Sequence, residues 1–239
     1  MSKKTKMVRI NFILRIKKAL LTIYSQYYAP LNCEKYGRIG KHSVIRNNSI
    51  LNHSNMYIDD WCIIQDQTNF ISYHGKLTVK KFSVIASGCT IVPGSHSLTV
   101  GVPFFLSTSH HINDVEGDIT IDEDCWIGAG CILLPKCHIG RGAVVGAGSV
   151  VKKDIPPYAV VVGSPARIIA AKFSLEQVIK HEAILYPPNE RFSKVELERL
   201  YAEYYKDMRT IGVDNLNIEE IKELEKIRNS FEMTNYSNY

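Results

Sequence analysis

His96, His110, His111, Asp114 and Glu116 fall within one stretch, SHSLTVGVPFFLSTSHHINDVEGD. An imidazole titrates near neutral pH, so it can take a proton from a weak nucleophile such as an alcohol and return it later. A carboxylate on the second ring nitrogen would orient such an imidazole, and Asp114 and Glu116 are the acids at hand. The same stretch carries an apolar patch from Val100 to Leu106.

The segments on either side have a period that this stretch lacks. Ile121, Ile127, Leu133, Ile139, Val145 and Val151 recur at every sixth residue. Four places after each of the first five stands a small residue: Cys125, Cys131, Cys137, Ala143 and Ser149. Six is neither the helical period nor the alternation of a flat strand. It describes a short strand and a corner, repeated, with the aliphatic turned inward and the small residue beside the turn. Three such units close one triangular coil, and stacked coils pair strand to strand in parallel around one core. Upstream the step is looser: Ile39, Ile45, Leu51, then Ile58, Ile64, Phe70, then Val79, Ile85, Ile91, with Ser43, Ser49, Cys62, Thr68, Ser83, Cys89 and Ser95 in the small slots. The histidine-bearing stretch, residues 96–118, is therefore an insertion in a regular scaffold, where function is usually carried.

The run WIGAGCILLPKCHIGRGAVVGAGSVVKKDIPPYAVVVGSPARII resembles the C-terminal half of the hexapeptide-repeat acyltransferases, in the branch holding galactoside, maltose and polysaccharide O-acetyltransferases. The resemblance is close over 118–169 and looser back to residue 39. It implies a mainly β fold, a left-handed parallel β-helix, with an N-terminal helix and a helical C-terminal tail. It also implies a homotrimer that binds acetyl-CoA in grooves between subunits, as cosubstrate and without a metal. Acetyl transfer to a sugar hydroxyl needs a general base and an oxyanion donor but no protein nucleophile. The family's catalytic histidine follows the inward aliphatic of the last coil before the loop by five places, which points to His96 after Ile91. His110 is the second choice, because His110 and Asp114 resemble a His-x-aliphatic-x-Asp pattern of some members. His110, His111 and Asp114 would belong to the substrate loop. Ala129, Ala147, Lys152, Lys153 and Arg167 are the positions that would contact the cofactor. The galactoside branch has a further basic residue where this chain has Ala170. Trp126 is expected at a subunit interface.

The whole chain has 239 residues, 45% apolar, and a net charge of +5. That mild excess suits an anionic ligand, and no dense basic stripe or motif points to nucleic acid. Cys62, Cys89, Cys125, Cys131 and Cys137 sit in small inward slots, so they read as buried thiols of a reducing compartment, with Cys125, Cys131 and Cys137 on different faces. Residues 1–32 read as a basic amphipathic helix, too charged and short to span a bilayer. It would pack on the protein or make peripheral contact, through residues 1–30, with an anionic membrane surface. The solenoid is expected over 33–172, with Pro156 and Pro157 ending its coils, followed by a segment running antiparallel. The tail, 173–239, should hold helices from Ser174 to Leu185, Ser193 to Met208 and Ile218 to Phe231. The expected setting is the cytoplasm or the inner membrane surface. Alternatives are sugar N-acetylation, serine O-acetylation, a metal lyase resembling γ-class carbonic anhydrases, and a non-enzymatic scaffold.

Overall fold

The computed structural model describes residues 16, 19–20, 35–46 and 48–230. The expected N-terminal helix lies almost wholly outside the described residues. Strands of two to five residues stack into three faces. On the first face Ile39, Ile58, Val79, Ile121 and Ile139 are successive parallel partners. On the second the column is Ile45, Ile64, Ile85, Ile127, Val145 and Val161. On the third, Phe70, Ile91, Leu133 and Val151 follow one another. From Ile58 onward the residues of these columns are buried, which is why aliphatics are required at every sixth place. The insertion interrupts the chain but not the ladder: Val79 pairs directly with Ile121, and Ile91 with Leu133.

The small slots are filled as the period requires. Cys62, Thr68, Ser83, Cys89, Cys125, Cys131, Cys137, Ala143 and Ser149 are all buried. The five described cysteines are free. Burial pushes the Cys62 thiol up to about 11 and the Cys137 thiol up to about 12. Cys125, Cys131 and Cys137 lie at three different corners, whereas Cys89 and Cys131 occupy one column in successive coils, where Thr90 N–H donates to the Cys131 carbonyl at 2.8 Å.

Four details depart from the sequence reading. In the first coil, Ile50 and not Leu51 pairs with the buried Phe70. The extra residue of that coil is taken up by a 3-10 turn at His53–Asn55. Ser95 does not fill an inward slot; it pairs with Val115 in a hairpin and is exposed. Pro156 and Pro157 do not end the coils, because they stand at a corner where no ladder donor is needed. The next strand, Ala159–Val162, adds a parallel rung to Val144–Val145, and only then does Arg167–Ala171 run antiparallel to it.

Four helices complete the described fold: α1 (Phe104–His110) in the insertion, and α2 (Leu175–Leu185), α3 (Lys194–Tyr204) and α4 (Ile218–Ser230) in the tail. The hydroxyl of Ser174 accepts from Gln177 N–H while the Gln177 side chain accepts from Ser174 N–H, a reciprocal cap that starts α2. Ser193 and Glu196 do the same for α3, which ends at Tyr204 and not Met208. The tail is tied to the prism through Glu182, which is 2% exposed. Its carboxylate accepts from Arg141 Nη1 at 3.0 Å and from the Tyr158 hydroxyl. Arg141 also donates to Glu123 at 3.1 Å. Asp124 accepts from Lys172 Nζ at 2.6 Å and pairs with His181 Nε2 at 3.0 Å. No helix among the described residues is long and apolar enough to cross a membrane.

Candidate functional site

The chain leaves the third face after Ile91 and turns outward at Pro93. Gly94–Ser95 and Val115–Glu116 form a short antiparallel hairpin that closes the neck of the insertion. Gly117 N–H donates to the Pro93 carbonyl at 2.8 Å, and Glu116 accepts from Gly75 N–H on the preceding coil at 2.5 Å. His96 and Asp114 therefore stand opposite each other, one residue beyond the paired Ser95 and Val115. The His96 Nδ1 to Asp114 Oδ1 distance is 2.9 Å.

Asp114 has a second histidine on its other oxygen: His111 Nδ1 lies 2.8 Å from Oδ2. The chain reaches this arrangement through left-handed backbone at His111 (φ 51°) and Asn113 (φ 57°), just past the end of α1. The His96 and His111 rings lie 5.9 Å apart, and Tyr73 packs 4.2 Å from the His111 ring. The two imidazoles hold the Asp114 carboxyl below the usual carboxylate range, the hydrogen bond from His96 being the larger cause. Both Nδ1 atoms face the carboxylate, so both Nε2 atoms point away from it. His96 Nε2 has no hydrogen-bond partner among the described residues. This arrangement can hold an imidazole in one tautomer and orientation while its far nitrogen exchanges protons.

His110 is not part of this cluster. It ends α1, is exposed, and pairs through Nδ1 with the Ser109 hydroxyl at 2.7 Å. Of the two carboxylates near the histidines in sequence, Asp114 reaches them and Glu116 does not, because Glu116 is engaged by Gly75. Tyr73 had no signal in the sequence; it comes from a coil that the repeat pattern describes poorly.

The positions read as cofactor contacts flank the third face at its two edges. Ala129 and Ala147 are exposed and stack at one corner, where Gly148 N–H donates to the Ala129 carbonyl at 2.8 Å. Gly130 (φ 69°) and Gly148 (φ 70°) make that corner in the left-handed region, with open space around each. Gly128 permits the close stacking of the two coils: a Cβ there would stand 2.6 Å from Ala147 N. At the opposite edge Lys152, Lys153 and Arg167 line one cavity of about 290 Å³ with Tyr204. That edge is also the one the insertion leaves. Ile91, Leu133 and Val151 are consecutive rungs, so the lysines follow the hairpin by two rungs, about 10 Å along the stack. Trp126 is 48% exposed on the second face.

Comparisons with known proteins agree with the fold. Residues 118–153 match the family model described as bacterial transferase hexapeptide (six repeats). A chloramphenicol acetyltransferase of Morganella morganii is 35% identical over 115 residues, 43% of this chain and 55% of that protein. The chain thus spans about half the length of the curated relatives it matches first. A maltose O-acetyltransferase from Clostridium difficile superposes with a TM-score of 0.55 at 26% identity, covering 64% of this chain and 83% of that one. A hexapeptide-repeat acetyltransferase of Vibrio cholerae, in complex with acetyl coenzyme A, superposes with a TM-score of 0.54 at 25% identity, covering 64% and 84%. The repeat over residues 118–153 is that of the bacterial hexapeptide transferases, and the prism built on it has the fold of solved hexapeptide-repeat acetyltransferases.

Proposed function

We propose that the protein is an acetyl-CoA-dependent O-acetyltransferase acting on a sugar hydroxyl, in the assembly of a surface polysaccharide or O-antigen. The observation that carries this reading is the His96–Asp114 pair, held on a loop at the edge of a transferase-type prism, with Nε2 unpartnered among the described residues. His96 Nε2 takes the proton of the acceptor hydroxyl as its oxygen attacks the thioester carbonyl. A backbone N–H stabilises the tetrahedral oxyanion. Collapse expels the CoA thiolate, which recovers the proton from His96, so the sum is ester plus free thiol. Asp114 keeps the Nδ1 proton in place and stabilises the imidazolium. His111 and His110 contribute to the acceptor side of the loop.

Ala129 and Ala147 bound the donor groove, where backbone groups meet the pantetheine. Lys152, Lys153 and Arg167 receive the phosphates, Arg167 through its planar fork. The functional unit in this reading is a homotrimer of left-handed prisms, with a helical segment over 1–32, the prism over 33–172 and an extension over 173–239. It works in the cytoplasm, where its thiols stay reduced.

A second acceptor class is favoured by one observation. Leu98, Val100, Phe104 and Phe105 of the loop are all more than 60% exposed. They would suit an alcohol with an aromatic part, such as the chloramphenicol named for the relatives. The deciding experiment is release of free CoA thiol from acetyl-CoA with a panel of monosaccharides, nucleotide sugars, chloramphenicol, amino sugars and serine. Acceleration by sugars with an ester product supports the first reading. Acceleration by chloramphenicol alone supports the second, and acceleration by no acceptor contradicts both.

A further inference from the structure

The cluster at the neck of the insertion has a second chemical competence. His96, His111 and Asp114 each offer one ligand atom within 4.8 Å of the other two, and they are the only such His/Cys/Asp/Glu group found among the described residues. We propose that these three side chains form a binding site for a transition-metal dication of the zinc class, acting as an inhibitor and not as a cofactor.

The ligand set is two imidazoles and a carboxylate, a donor combination that suits zinc. Tetrahedral ligands about 2.0–2.1 Å from zinc stand roughly 3.3 Å apart. The His96 and His111 Nδ1 atoms stand 2.9 and 2.8 Å from the Asp114 oxygens, and all three ligand atoms lie within 4.8 Å of one another, so each nitrogen–oxygen pair opens by about 0.5 Å while the two nitrogens close by at most about 1.5 Å to admit the ion. The three ligands come from the two ends of one hairpin, closed by the Gly94–Glu116 and Ser95–Val115 pairs, so little ordering is required. The His96 and His111 side chains are 35% and 39% exposed, which gives an ion access. Three protein ligands leave the fourth position to water.

The consequence for the proton follows from the tautomer. A metal on Nδ1 requires the lone pair of that nitrogen, so the ring's remaining proton must sit on Nε2. In that state His96 Nε2 is a donor and cannot accept a proton from a hydroxyl. The regulatory half of this inference rests on the catalytic reading above; the metal site itself does not.

The test uses the full chain, stripped with chelator and exchanged into buffer. Zinc chloride is titrated in by calorimetry, and cobalt(II) is followed by its visible absorption. We expect one ion per chain. The dissociation constant should rise at least about 10-fold in His111→Ala and in Asp114→Asn, and stay unchanged in His110→Ala, whose imidazole faces Ser109. All three sites are on the surface loop, and circular dichroism verifies that each variant is folded. Absence of stoichiometric uptake, or wild-type affinity in His111→Ala, overturns the site. Turnover measured in parallel separates the two halves. Inhibition at one zinc per chain, weakened at least 10-fold in His111→Ala, supports both. Uptake without inhibition of an active protein overturns the regulation. Uptake by a protein that shows no turnover supports the site and contradicts the catalytic reading alone.

Discussion

Asp114 shares its carboxylate between His96 and His111, one imidazole on each oxygen, at 2.9 and 2.8 Å. A carboxylate used this way orients two rings at once, and its loss should disorganise both. Asp114→Asn is expected to lower kcat by at least about 10-fold and up to about 10⁴-fold, the scale of losing the carboxylate that fixes a catalytic histidine's tautomer. The KM for acetyl-CoA should not change, because the donor contacts lie along the prism. Steady-state kinetics on acetyl-CoA and on the acceptor separate these effects.

The donor site makes an independent prediction. Arg167 lines a cavity with Lys152 and Lys153, and among the described residues its guanidinium makes only a local bond, to the Ala166 carbonyl at 3.2 Å. Removing a guanidinium that binds phosphate equally in ground and transition states raises KM and spares kcat. Arg167→Ala should raise the KM for acetyl-CoA about 10-fold, corresponding to one charge-assisted hydrogen bond of roughly 1.5 kcal/mol. The effect should shrink as salt is added. An unchanged KM would remove Arg167 from the donor site.

The tail should matter to stability. Glu182 is almost fully buried and holds Arg141, itself 13% exposed at the side chain, together with Tyr158. Glu182→Ala leaves Arg141 without its main partner, and breaking such a pair costs about 3–5 kcal/mol. Urea or thermal unfolding should show that loss, with Arg141→Ala comparably destabilised. The double variant should be less unstable than the two losses summed, since the residues share one interaction.

Asp124 sets an acid limit. Burial opposes its ionisation, yet the hydrogen bond from His181 and the Lys172 ammonium outweigh burial and hold its carboxyl below the ordinary value. A carboxyl depressed on folding stabilises above its unfolded value, about pH 4, and loses that contribution as pH falls through the folded value. The melting temperature of wild type should therefore fall on acidification below about pH 4. Asp124→Asn should start lower at pH 7 and fall less over that range. Parallel curves for the two proteins would contradict the assignment.

The sequence disclosed the scaffold because its physics is local. Ile121 to Val151 step by six, and a corner every six residues is what the backbone does with that pattern. Ser174 and Gln177 announced their helix for the same reason: a cap is made within four residues. Ile50 replaced Leu51 because the step from Ile45 is five residues there and the longer step follows it, and period counting cannot place such a slip within a coil. Ala159–Val162 continued the stack past two prolines because prolines at a corner break no ladder, which spacing does not show. The Arg141–Glu182 pair spans 41 residues and two kinds of structure, and nothing near either residue signals it. His111 was legible as a loop residue but not as the partner of Asp114. That role depends on left-handed backbone at His111 and Asn113, which turns His111 toward the carboxylate and leaves His110 facing Ser109.

The most direct test of the whole account is the turnover of His96→Ala with saturating acetyl-CoA and the best acceptor of the panel. We expect a fall of about 10²–10⁴-fold in kcat, the range of a lost general base, with the KM for acetyl-CoA nearly constant. Near-normal turnover in a folded His96→Ala protein would contradict it.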